Sequence, residues 1–510
     1  MKKYLGIELG STRIKSVLID EGANVIAQGA HDWENKLENG LWTYSLEDVW
    51  AGLASSYKSL CDNFGKPIEA LDGIGISAMM HGYLAFDQND RLLVPFRTWR
   101  NTNTARAADE LTGVLGFNMP QRWSASHYYQ AVLNGEEHVK NVSFLTTLAG
   151  YVHWMLTGKR VLGIGDAAGM FPIKDNNYDK DMLSKFDALL KKNGVDASLE
   201  ALLPKALLAG EDAGTLTEAG ARLLDPSGTL KAGAPLCPPE GDAGTGMVAT
   251  NAVKMRTGNV SAGTSAFAMV VLEKPLSRVN SSIDVVATPS GAPVAMVHAN
   301  NFTSEINAWA NLFDEVLSLG GVSMRKGELF DRLYECSADS DESVGGLVGY
   351  NFLSGEPIVG METGIPLIAR MPNGKLTLAN FMQMQLYSAL GAMSIGMETL
   401  AEENVQIDNM CGHGGFFKTP FIGANAMSAA LGAPITTMKT AGEGGAWGVA
   451  VLALYGATKN GSLEDFLDGL FASAEKETVV ASDAERAKFF AFMQTYKKGL
   501  KVERTATEAF

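Results

Sequence analysis

The sequence predicts an α/β protein made of two domains that open in the same way. The chain has 510 residues, enough for two to four domains at roughly 100–200 residues each. Its first twenty residues read as two β-rich runs joined by a Gly-Ser-Thr turn, which is typical of a hairpin. The same strand, Gly-Thr-Ser turn and strand return at residues 259–271, about half a chain length later. This repeat favours a duplicated architecture, although a single repeat also leaves chance similarity open.

The order of the other elements fits an α/β fold. Hydrophobic periodicity and turn residues place the elements of the first half of the chain. In order, they are a strand at residues 24–28, a helix that begins at Ser45-x-x-Asp48 and continues on one face through Leu60, a strand at 74–78 that ends in the loop Met79-Met80-His81-Gly82, a hairpin that turns at Asn89-Asp90, a helix at 144–157 that stops at Gly158, and a helical connecting stretch at 180–233.

A Pro/Gly-rich passage marks the expected domain boundary. It covers residues 233–246, and such runs are typical of connections between domains. We therefore expect an N-terminal domain at 1–246 and a C-terminal domain at 247–510. The second domain ends with Ser482-x-x-Glu485 and apolar residues at helical spacing, which predicts an amphipathic helix packed on the body of the protein.

Composition excludes several classes of protein. Hydrophobic residues make up 46% and charged residues 19% of the chain, which is ordinary for a globular protein and excludes wholesale disorder. The net charge of −15 argues against a nucleic-acid partner. No apolar run reaches the ~20 residues that span a bilayer. Because a glutamate interrupts the first apolar run, the N-terminus reads as a strand and not as a signal peptide.

The four cysteines lie far apart in the sequence. No C-x-x-C pair occurs, so neither a zinc site nor a disulfide framework is indicated. Together with the absence of a predicted membrane segment, this predicts a cytoplasmic enzyme. The cysteines are Cys61, Cys237, Cys336 and Cys411.

Glycine is the compositional outlier, and four glycine-rich loops are candidates for holding phosphate. The chain has 55 glycines, where the usual ~7% gives roughly 36. Glycine lets backbone N–H groups converge on phosphate oxygens, and Ser or Thr hydroxyls add donors. A tight turn explains any one loop, but four loops, two of them at equivalent hairpin tips, favour nucleotide binding. The loops are Gly10-Ser11-Thr12, residues 241–246, Gly263-Thr264-Ser265, and residues 412–415 with Gly412, Gly414 and Gly415.

Two common nucleotide motifs are excluded. No G-x-x-x-x-G-K-[ST] occurs, so the chain is not a P-loop protein. The run Gly163-x-Gly165-x-x-x-Gly169 is one residue too long for a dinucleotide fingerprint, and Phe171-Pro172 prevents a helix from following it.

Five side chains are candidates for the chemistry, each with a structural alternative. Asp242 lies in the most glycine-dense segment and would accept a proton from an attacking hydroxyl, or else form an Asx turn. Glu8 ends the first strand and would hold water on Mg²⁺, or else face solvent on an edge strand. His81 would contact a substrate, or else be a satisfied loop residue. Trp99 and Asn101 would face a sugar, or else belong to the core and a turn.

These motifs resemble those of the FGGY carbohydrate kinases, in the actin-like, ribonuclease-H-like ATPase superfamily, and among them the pentulose kinases such as xylulokinase. The similar segments extend from the first strand to about residue 455. They are residues 6–12 and 261–265 for two phosphate motifs, 80–82 for the substrate loop, 99–101 for the segment that closes over the sugar, 166–169, Gly241-Asp242 for the general base, 352–356, and 410–415 for the adenosine loop with a helix start at 443–448 behind it.

The resemblance implies two actin-like ATPase domains around a central cleft, with the sugar on the side of domain 1–246 and ATP on the side of domain 247–510. It implies ATP-dependent phosphorylation of a terminal hydroxyl of a ketopentose, a small-molecule sugar as partner, and a homodimer as an open option. It assigns Asp242 as general base, Met80, His81, Gly82, Trp99, Asn101 and Asp242 to the sugar, Gly10, Ser11, Thr12, Gly263, Thr264, Ser265, Gly412, Gly414 and Gly415 to ATP, and Glu8 and Asp242 to Mg²⁺ through water.

The sequence also departs from the family pattern. Glu8 replaces an aspartate, Met79 a glutamine and Ala243 an asparagine, while Asn101 stands where the family has an acid. The later G-x-F-x-G-L segment is replaced by residues 368–372. These changes bear on the sugar more than on the reaction, so an L-ribulokinase or another sugar or polyol kinase remains an alternative. An actin-like ATPase or a sugar sensor without kinase activity is the alternative from a different class.

Overall fold

The computed structural model describes residues 1–438 and 444–510, which form two compact units. Unit 1 consists of Met1–Lys254, Arg278–Val294 and the described part of Glu443–Ser473. Unit 2 consists of Met255–Ser277, the described part of Ala295–Gly442, and Ala474–Phe510. The chain therefore passes between the units several times. No described helix is both long enough and apolar enough to span a bilayer.

The described strands follow one another in chain order. They are β1 Tyr4–Leu9, β2 Arg13–Ile19, β3 Val25–Asp32, β4 Lys36–Glu38, β5 Leu41–Thr43, β6 Gly73–Ala78, β7 Leu84–Phe86, β8 Phe144–Thr146, β9 Val161–Gly163, β10 Ile173–Lys174, β11 Asn177–Tyr178, β12 Lys205–Leu207, β13 Glu240–Gly241, β14 Thr257–Ala262, β15 Ala266–Val271, β16 Ile283–Ala287, β17 Pro293–Ala299, β18 Leu347–Tyr350, β19 Leu367–Arg370, β20 Asn409–His413, β21 Ile435–Met438 and β22 Lys476–Val479.

The described helices are interleaved with these strands, together with short 3₁₀ turns at Glu137–Asn141, Val344–Gly346, Pro357–Val359 and Gly415–Phe417. They are α1 Leu46–Phe64, α2 Ala105–Leu115, α3 Ser124–Leu133, α4 Leu148–Thr157, α5 Ile164–Ala167, α6 Lys180–Lys192, α7 Leu199–Leu202, α8 Glu218–Leu224, α9 Asp242–Ala249, α10 Ser304–Leu319, α11 Lys326–Ser337, α12 Leu378–Glu402, α13 Ile422–Leu431, α14 Gly444–Thr458, α15 Leu463–Leu470 and α16 Asp483–Ala509.

Unit 1 is built on a five-stranded sheet in the order β13-β6-β1-β2-β3. Strands β1 and β2 form the predicted antiparallel hairpin, whereas β6 runs parallel to both β1 and β13. Strands β1 and β6 are buried almost throughout, as expected for the centre of a sheet covered on both faces. Helix α1 packs on β3 and β2, and its apolar face joins the core of this unit.

Helix α14 lies directly against the centre of this sheet because two strand positions lack side chains. A β-carbon at Gly6 would overlap the carbonyl oxygen of Ala446, and one at Gly75 would overlap that of Val449. Glycine at both positions therefore allows backbone-to-backbone packing that no other residue permits. Part of the glycine excess thus serves packing and not loops.

Unit 2 repeats the strand order of unit 1. Its strands lie in the order β22-β21-β20-β14-β15-β17, in which β21-β20-β14-β15-β17 correspond to β13-β6-β1-β2-β3 of unit 1 and β22 is an addition. As in unit 1, the first two strands, β14 and β15, form an antiparallel hairpin, and β14 and β20 run parallel. Strand β20 is in turn parallel to β21. The duplicated α/β architecture predicted from the two hairpins is therefore confirmed.

Helix boundaries agree with most of the predicted capping residues. Ser45 accepts a hydrogen bond from the Asp48 N–H at the start of α1. Ser482 accepts one from the Glu485 N–H at the start of α16, the predicted C-terminal helix. The predicted helix at 144–157 is wrong in its first turn, since residues 144–146 form β8, paired with β7. Thr147 then caps α4 by accepting the Gly150 N–H. Strand pairing overrides the helical periodicity of this short apolar run.

Candidate active site

The candidate residues of unit 1 converge because three parallel strands end in register. Leu9 of β1 and Gly241 of β13 both pair with Ala78 of β6. The residues that follow these positions therefore leave the sheet at one edge, which is where ligands bind in open α/β sheets. They are the tip at Gly10, the loop Met79-Met80-His81-Gly82, and Asp242.

Asp242 is the first residue of α9 and is exposed at this edge. Its Oδ1 accepts the N–H groups of Met80 at 3.3 Å and Ala243 at 3.0 Å. Desolvation by the surrounding protein raises its pKa to about 6, against the lowering effect of these N–H donors and of Arg122. The carboxylate is therefore ionised at neutral pH, and the helix N-terminus favours its negative charge. An accessible, ionised carboxylate with a raised pKa is suited to accept a proton.

Glu8 lies at the same edge, at the N-terminus of α14. Its Oε2 accepts the Ala446 N–H at 3.1 Å. Desolvation and repulsion from Asp242 raise the pKa of Glu8 to about 7, while the Ala446 N–H and Lys15 lower it. The two carboxylates thus lie close enough to repel one another, a situation that a bound cation would relieve.

The oxygen donors of Glu8 and Asp242 fit magnesium. Mg²⁺ prefers hard oxygen ligands and retains several waters, so it is usually held by one or two carboxylates together with phosphate. Among the described residues, no three His, Cys, Asp or Glu side chains come together as a metal cluster. A metal with few protein ligands is the kind that this pair of carboxylates could hold.

His81 is a buried, neutral side chain in a strained turn. Its φ of +68° is rare for a residue with a side chain. Its Nδ1 lies 3.1 Å from the carbonyl oxygen of Gly169, and Trp123 stacks on the ring with centroids 6.2 Å apart. Desolvation and the Arg122 charge lower its pKa to about 3. Since Gly169 offers only an acceptor, Nδ1 carries the proton, and Nε2 is left as an acceptor for a hydroxyl.

Arg122 provides the positive charge near these groups. Its guanidinium forms an ion pair with Asp284, whose other oxygen accepts from Asn118 Nδ2 at 3.0 Å. The charge of Arg122 also lowers the pKa values of His81 and Asp242. The sequence offered no local signal for this pair, since 162 positions separate its members.

Two further buried carboxyl groups lie behind Asp242. Glu240 accepts the N–H groups of Gly165 and Asp166 at 3.3 and 3.0 Å. Asp166 accepts from Thr147 Oγ1 at 2.6 Å. Burial and their mutual repulsion raise the pKa of Glu240 to about 8, and burial, with repulsion from Asp242, raises that of Asp166 to about 7. The sequence signal for Glu240 is a charged residue inside the Pro/Gly-rich run.

The segment of Trp99 and Asn101 is held by strand β5. Both amide hydrogens of Asn101 are donated to backbone carbonyls, those of Trp42 and Thr98, and its Oδ1 accepts the Trp42 N–H. Trp99 is half-buried against the core of unit 1, and Arg100 lies over the Trp42 ring at 4.0 Å. Asn101 therefore anchors this loop to β5 through its side-chain amide.

The two hairpin tips are fixed in parallel ways. In unit 1, the carbonyl oxygens of Gly10, Ser11 and Thr12 accept from Trp33 Nε1, Tyr44 Oη and the Trp33 N–H. In unit 2, those of Gly263 and Thr264 accept from Thr303 Oγ1 and the Phe302 N–H. Both tips thus turn carbonyls toward the protein, and the Thr12 and Thr264 side chains are exposed. This arrangement suits a loop that offers hydroxyl and N–H donors to phosphate.

The loop of residues 412–415, which the sequence predicts to hold adenosine, adjoins the second tip. Gly414 has a φ of +106°, and a β-carbon there would overlap the carbonyl oxygen of Ala262, the residue before Gly263. Gly412 lies under the ring of Phe417, and Gly415 is exposed. The structure therefore brings the Gly263-Thr264-Ser265 tip and Gly412, Gly414 and Gly415 together. Glu443, which begins the predicted helix-start segment, lies outside the described residues.

Two α/β units that share a strand order, each with a Gly/Ser/Thr hairpin tip, define the class of two-domain proteins with the actin-like ATPase fold. Models of the N-terminal and C-terminal domains of the FGGY family of carbohydrate kinases match residues 3–228 and 258–457. The chain belongs to the FGGY family of carbohydrate kinases. It is accordingly a carbohydrate kinase, a phosphotransferase with an alcohol group as acceptor, and the family implies ATP as the phosphoryl donor.

Known proteins resemble the chain over nearly its full length. The xylulose kinase of Haemophilus influenzae is 22% identical over 475 residues, which cover 86% of this chain and 91% of that protein. The structure of a "xyloylose kinase" from Brucella ovis has a TM-score of 0.79 at 20% identity and covers 99% of this chain and 100% of that one. A Plasmodium falciparum glycerol kinase with ADP has a TM-score of 0.76 at 14% identity, covering 99% and 98%. At these identities the structural matches establish the fold.

Proposed function

We propose that this kinase transfers the γ-phosphoryl group of ATP to a terminal hydroxyl of a ketopentose, as a xylulokinase does. The observation that carries the proposal is the accessible carboxylate of Asp242 beside the Met80-His81-Gly82 turn, with the Met80 N–H donating to it at 3.3 Å. The similarity to the xylulose kinase of Haemophilus influenzae, over 91% of that protein, supports a pentulose as acceptor.

In this proposal Asp242 accepts the proton of the attacking hydroxyl. Its pKa of about 6 keeps it ionised at neutral pH and makes it a stronger base than an ordinary aspartate. His81 presents Nε2 as an acceptor for another sugar hydroxyl, which fixes which hydroxyl reaches Asp242. Trp99 supplies an apolar surface for the sugar, and Asn101 holds the loop of Trp99 against β5. Such positioning supplies much of the acceleration in phosphoryl transfer.

Unit 2 holds the nucleotide in this proposal. Thr264 and Ser265 donate to phosphate oxygens at the second tip, and Gly412, Gly414 and Gly415 admit the adenosine because they carry no side chains. Ser11 and Thr12 stay candidates for binding phosphate, because residues 6–12 resemble the family's first phosphate motif. Glu8 and Asp242 would hold Mg²⁺ through water, and the metal would offset negative charge on the phosphates.

Two residues beside the candidate site bear on the identity of the acceptor. Met79, where the family has glutamine, is buried in the core of unit 1 and offers no polar group. Ala243, after the base, likewise has no side-chain group for hydrogen bonding. The same Asp-Ala pair is closer to the ribulokinase-like branch, so L-ribulose is the second candidate.

A coupled assay of ADP release tests this proposal. The purified chain is given Mg-ATP with D-xylulose, D-ribulose, L-ribulose, xylitol, glycerol or D-xylose. We expect a pentulose to give the highest kcat/KM, with phosphate on its terminal hydroxyl. ADP release that is independent of every added sugar would instead identify an ATPase. Binding of a sugar without any ADP release would identify a sensor.

A further inference from the structure

The glycines of the Gly163-x-Gly165-x-x-x-Gly169 run form a socket for two buried side chains. A β-carbon at Gly163 or Gly165 would overlap the carboxylate of Glu240. A β-carbon at Gly169 would lie 2.7 Å from His81 Nδ1. The run that resembled a dinucleotide fingerprint in the sequence thus has a different use. It makes room for Glu240 at one end and for His81 at the other.

The Glu240 carboxylate fastens the first end of this turn. It accepts two consecutive N–H groups, those of Gly165 and Asp166, at 3.3 and 3.0 Å. These N–H groups begin the short helix α5 and have no partner within it. The turn then continues to Gly169, whose N–H is donated to the Asp166 carbonyl at 2.9 Å. Its own carbonyl oxygen accepts from His81 Nδ1 at 3.1 Å.

The backbone of Glu240 belongs to the strand that carries Asp242. Glu240 pairs with Ser77 and Gly241 with Ala78 on β6, and Asp242 follows directly. One residue therefore joins the turn that orients His81 to the strand end that positions Asp242. Glu240 is only 1% exposed, so water does not compete for its hydrogen bonds.

We propose that Glu240 is a positioning residue for phosphoryl transfer, which holds the turn that orients His81 in fixed relation to the strand end that carries Asp242. This inference rests on the proposed roles of His81 and Asp242. In this inference Glu240 acts through the two residues that it aligns and not by a contact of its own with sugar or ATP.

Two independent substitutions disturb this contact. Glu240→Gln replaces one acceptor oxygen by an NH₂ group that faces a backbone donor, and Gly165→Ala displaces the carboxylate without changing its chemistry. Both variants should lower kcat by about tenfold or more and raise the sugar KM, since small misplacements of reacting groups can cost up to about 10²-fold. The KM for ATP should stay near the wild-type value. Glu240→Asp, which keeps both acceptor oxygens, should recover part of the loss.

Asp225→Asn is the matched control for loss of a buried carboxylate. Asp225 is also buried in unit 1 and also accepts backbone N–H groups, those of Ser227, Thr229 and Leu230. Its substitution should reduce stability and leave the sugar KM unchanged. If Asp225→Asn and Glu240→Gln change kcat and sugar KM to the same extent, Glu240 has only a structural role.

A spectroscopic measurement tests, separately from catalysis, whether Glu240 orients His81. The chain has seven histidines, so ring-¹³C labelling gives few signals, and His81→Gln assigns the signal of His81. Glu240→Gln and Gly165→Ala should shift that signal, whereas Asp225→Asn should not. An unchanged His81 signal in both variants would overturn the inference, even if the wild-type enzyme phosphorylates a pentulose. A wild-type enzyme without sugar-dependent ADP release would overturn the proposed function, while the His81 signal still tests the contact.

Discussion

The Glu8 carboxylate accepts the backbone N–H of Ala446 at 3.1 Å, across 438 positions of sequence. The contact ties the end of β1 to the first turn of α14, where the helix dipole favours a negative charge. A β-carbon at Gly445 would lie 2.7 Å from the other Glu8 oxygen, so the carboxylate rests directly on the helix start. Glu8 is thereby held in place beside Asp242.

Shortening Glu8 by one methylene should be tolerated. Glu8→Asp restores the residue of the FGGY pattern, and it moves the carboxylate by about an ångström while keeping its charge. We expect kcat within about tenfold of the wild type, whereas Glu8→Gln should raise the Mg²⁺ concentration needed for half-maximal rate, because one of two carboxylates is neutralised. Mg²⁺ titrations of ADP release measure both. A folded but inactive Glu8→Asp would mean that the metal shell requires the longer side chain.

Asp242→Asn should abolish phosphoryl transfer and leave ATP binding nearly intact. The amide keeps the size of the carboxylate but cannot accept the hydroxyl proton, and general-base assistance is typically worth about 10²–10⁴-fold. Single-turnover rates with a pentulose measure the loss, and calorimetric titration with a non-hydrolysable ATP analogue measures nucleotide binding. Retention of substantial turnover by Asp242→Asn would remove Asp242 from the role of base.

The sequence predicted the features whose cause is local. The Gly-Ser/Thr tips and the caps at Ser45 and Ser482 follow from the preferences of a few consecutive residues. The matching hairpins then predicted the duplicated fold. These features needed no knowledge of distant neighbours.

The features that the sequence did not predict depend on contacts between distant segments. Glu240 meets Gly165 and Asp166 across 75 and 74 positions, and no periodicity within either segment reveals the contact. The hydrogen bond between Asn101 and Trp42 spans 59 positions, and nothing in the sequence around Asn101 indicates this partner. Strand β8 formed where a helix was predicted because β7 was available for pairing. In each case a tertiary partner decided the outcome.

Asp166 and Glu240 should make the protein less stable as the pH rises. Burial and repulsion raise their pKa values from 3.8 and 4.5 to about 7 and 8 in the folded protein. The folded state therefore holds protons that the unfolded chain releases above about pH 4. The resulting stabilisation is complete below the unfolded pKa values and is lost as the pH rises through about 7 to 8. Each group contributes at most about 1.4 kcal/mol per pH unit to this slope.

Melting temperatures between pH 5 and 8.5 measure this effect. Asp166→Asn, which is neutral at every pH, should flatten the decline of Tm in this range. Asp341→Asn is the control, because backbone N–H donors led by that of Gly345 lower the pKa of Asp341, so its titration lies at more acid pH. A Tm that rises from pH 5 to 8 in the wild type, or an equal decline in Asp166→Asn, would contradict the prediction.

Gly6→Ala should destabilise unit 1 severely. The new methyl group would overlap the carbonyl oxygen of Ala446 and the Cβ of Ala450, so α14 would have to move away from the sheet. Overpacking of a core commonly costs about 1–3 kcal/mol, and a backbone collision should exceed that range. Because α14 also carries the Ala446 N–H that binds Glu8, the loss of Tm should be accompanied by a higher Mg²⁺ requirement.

Gly113→Ala is the matched control, since Gly113 lies exposed in helix α2 with open space at its β-carbon. That substitution should raise stability by about 0.5–1 kcal/mol. Equal melting temperatures for Gly6→Ala and Gly113→Ala would show that α14 does not rest on the backbone of β1.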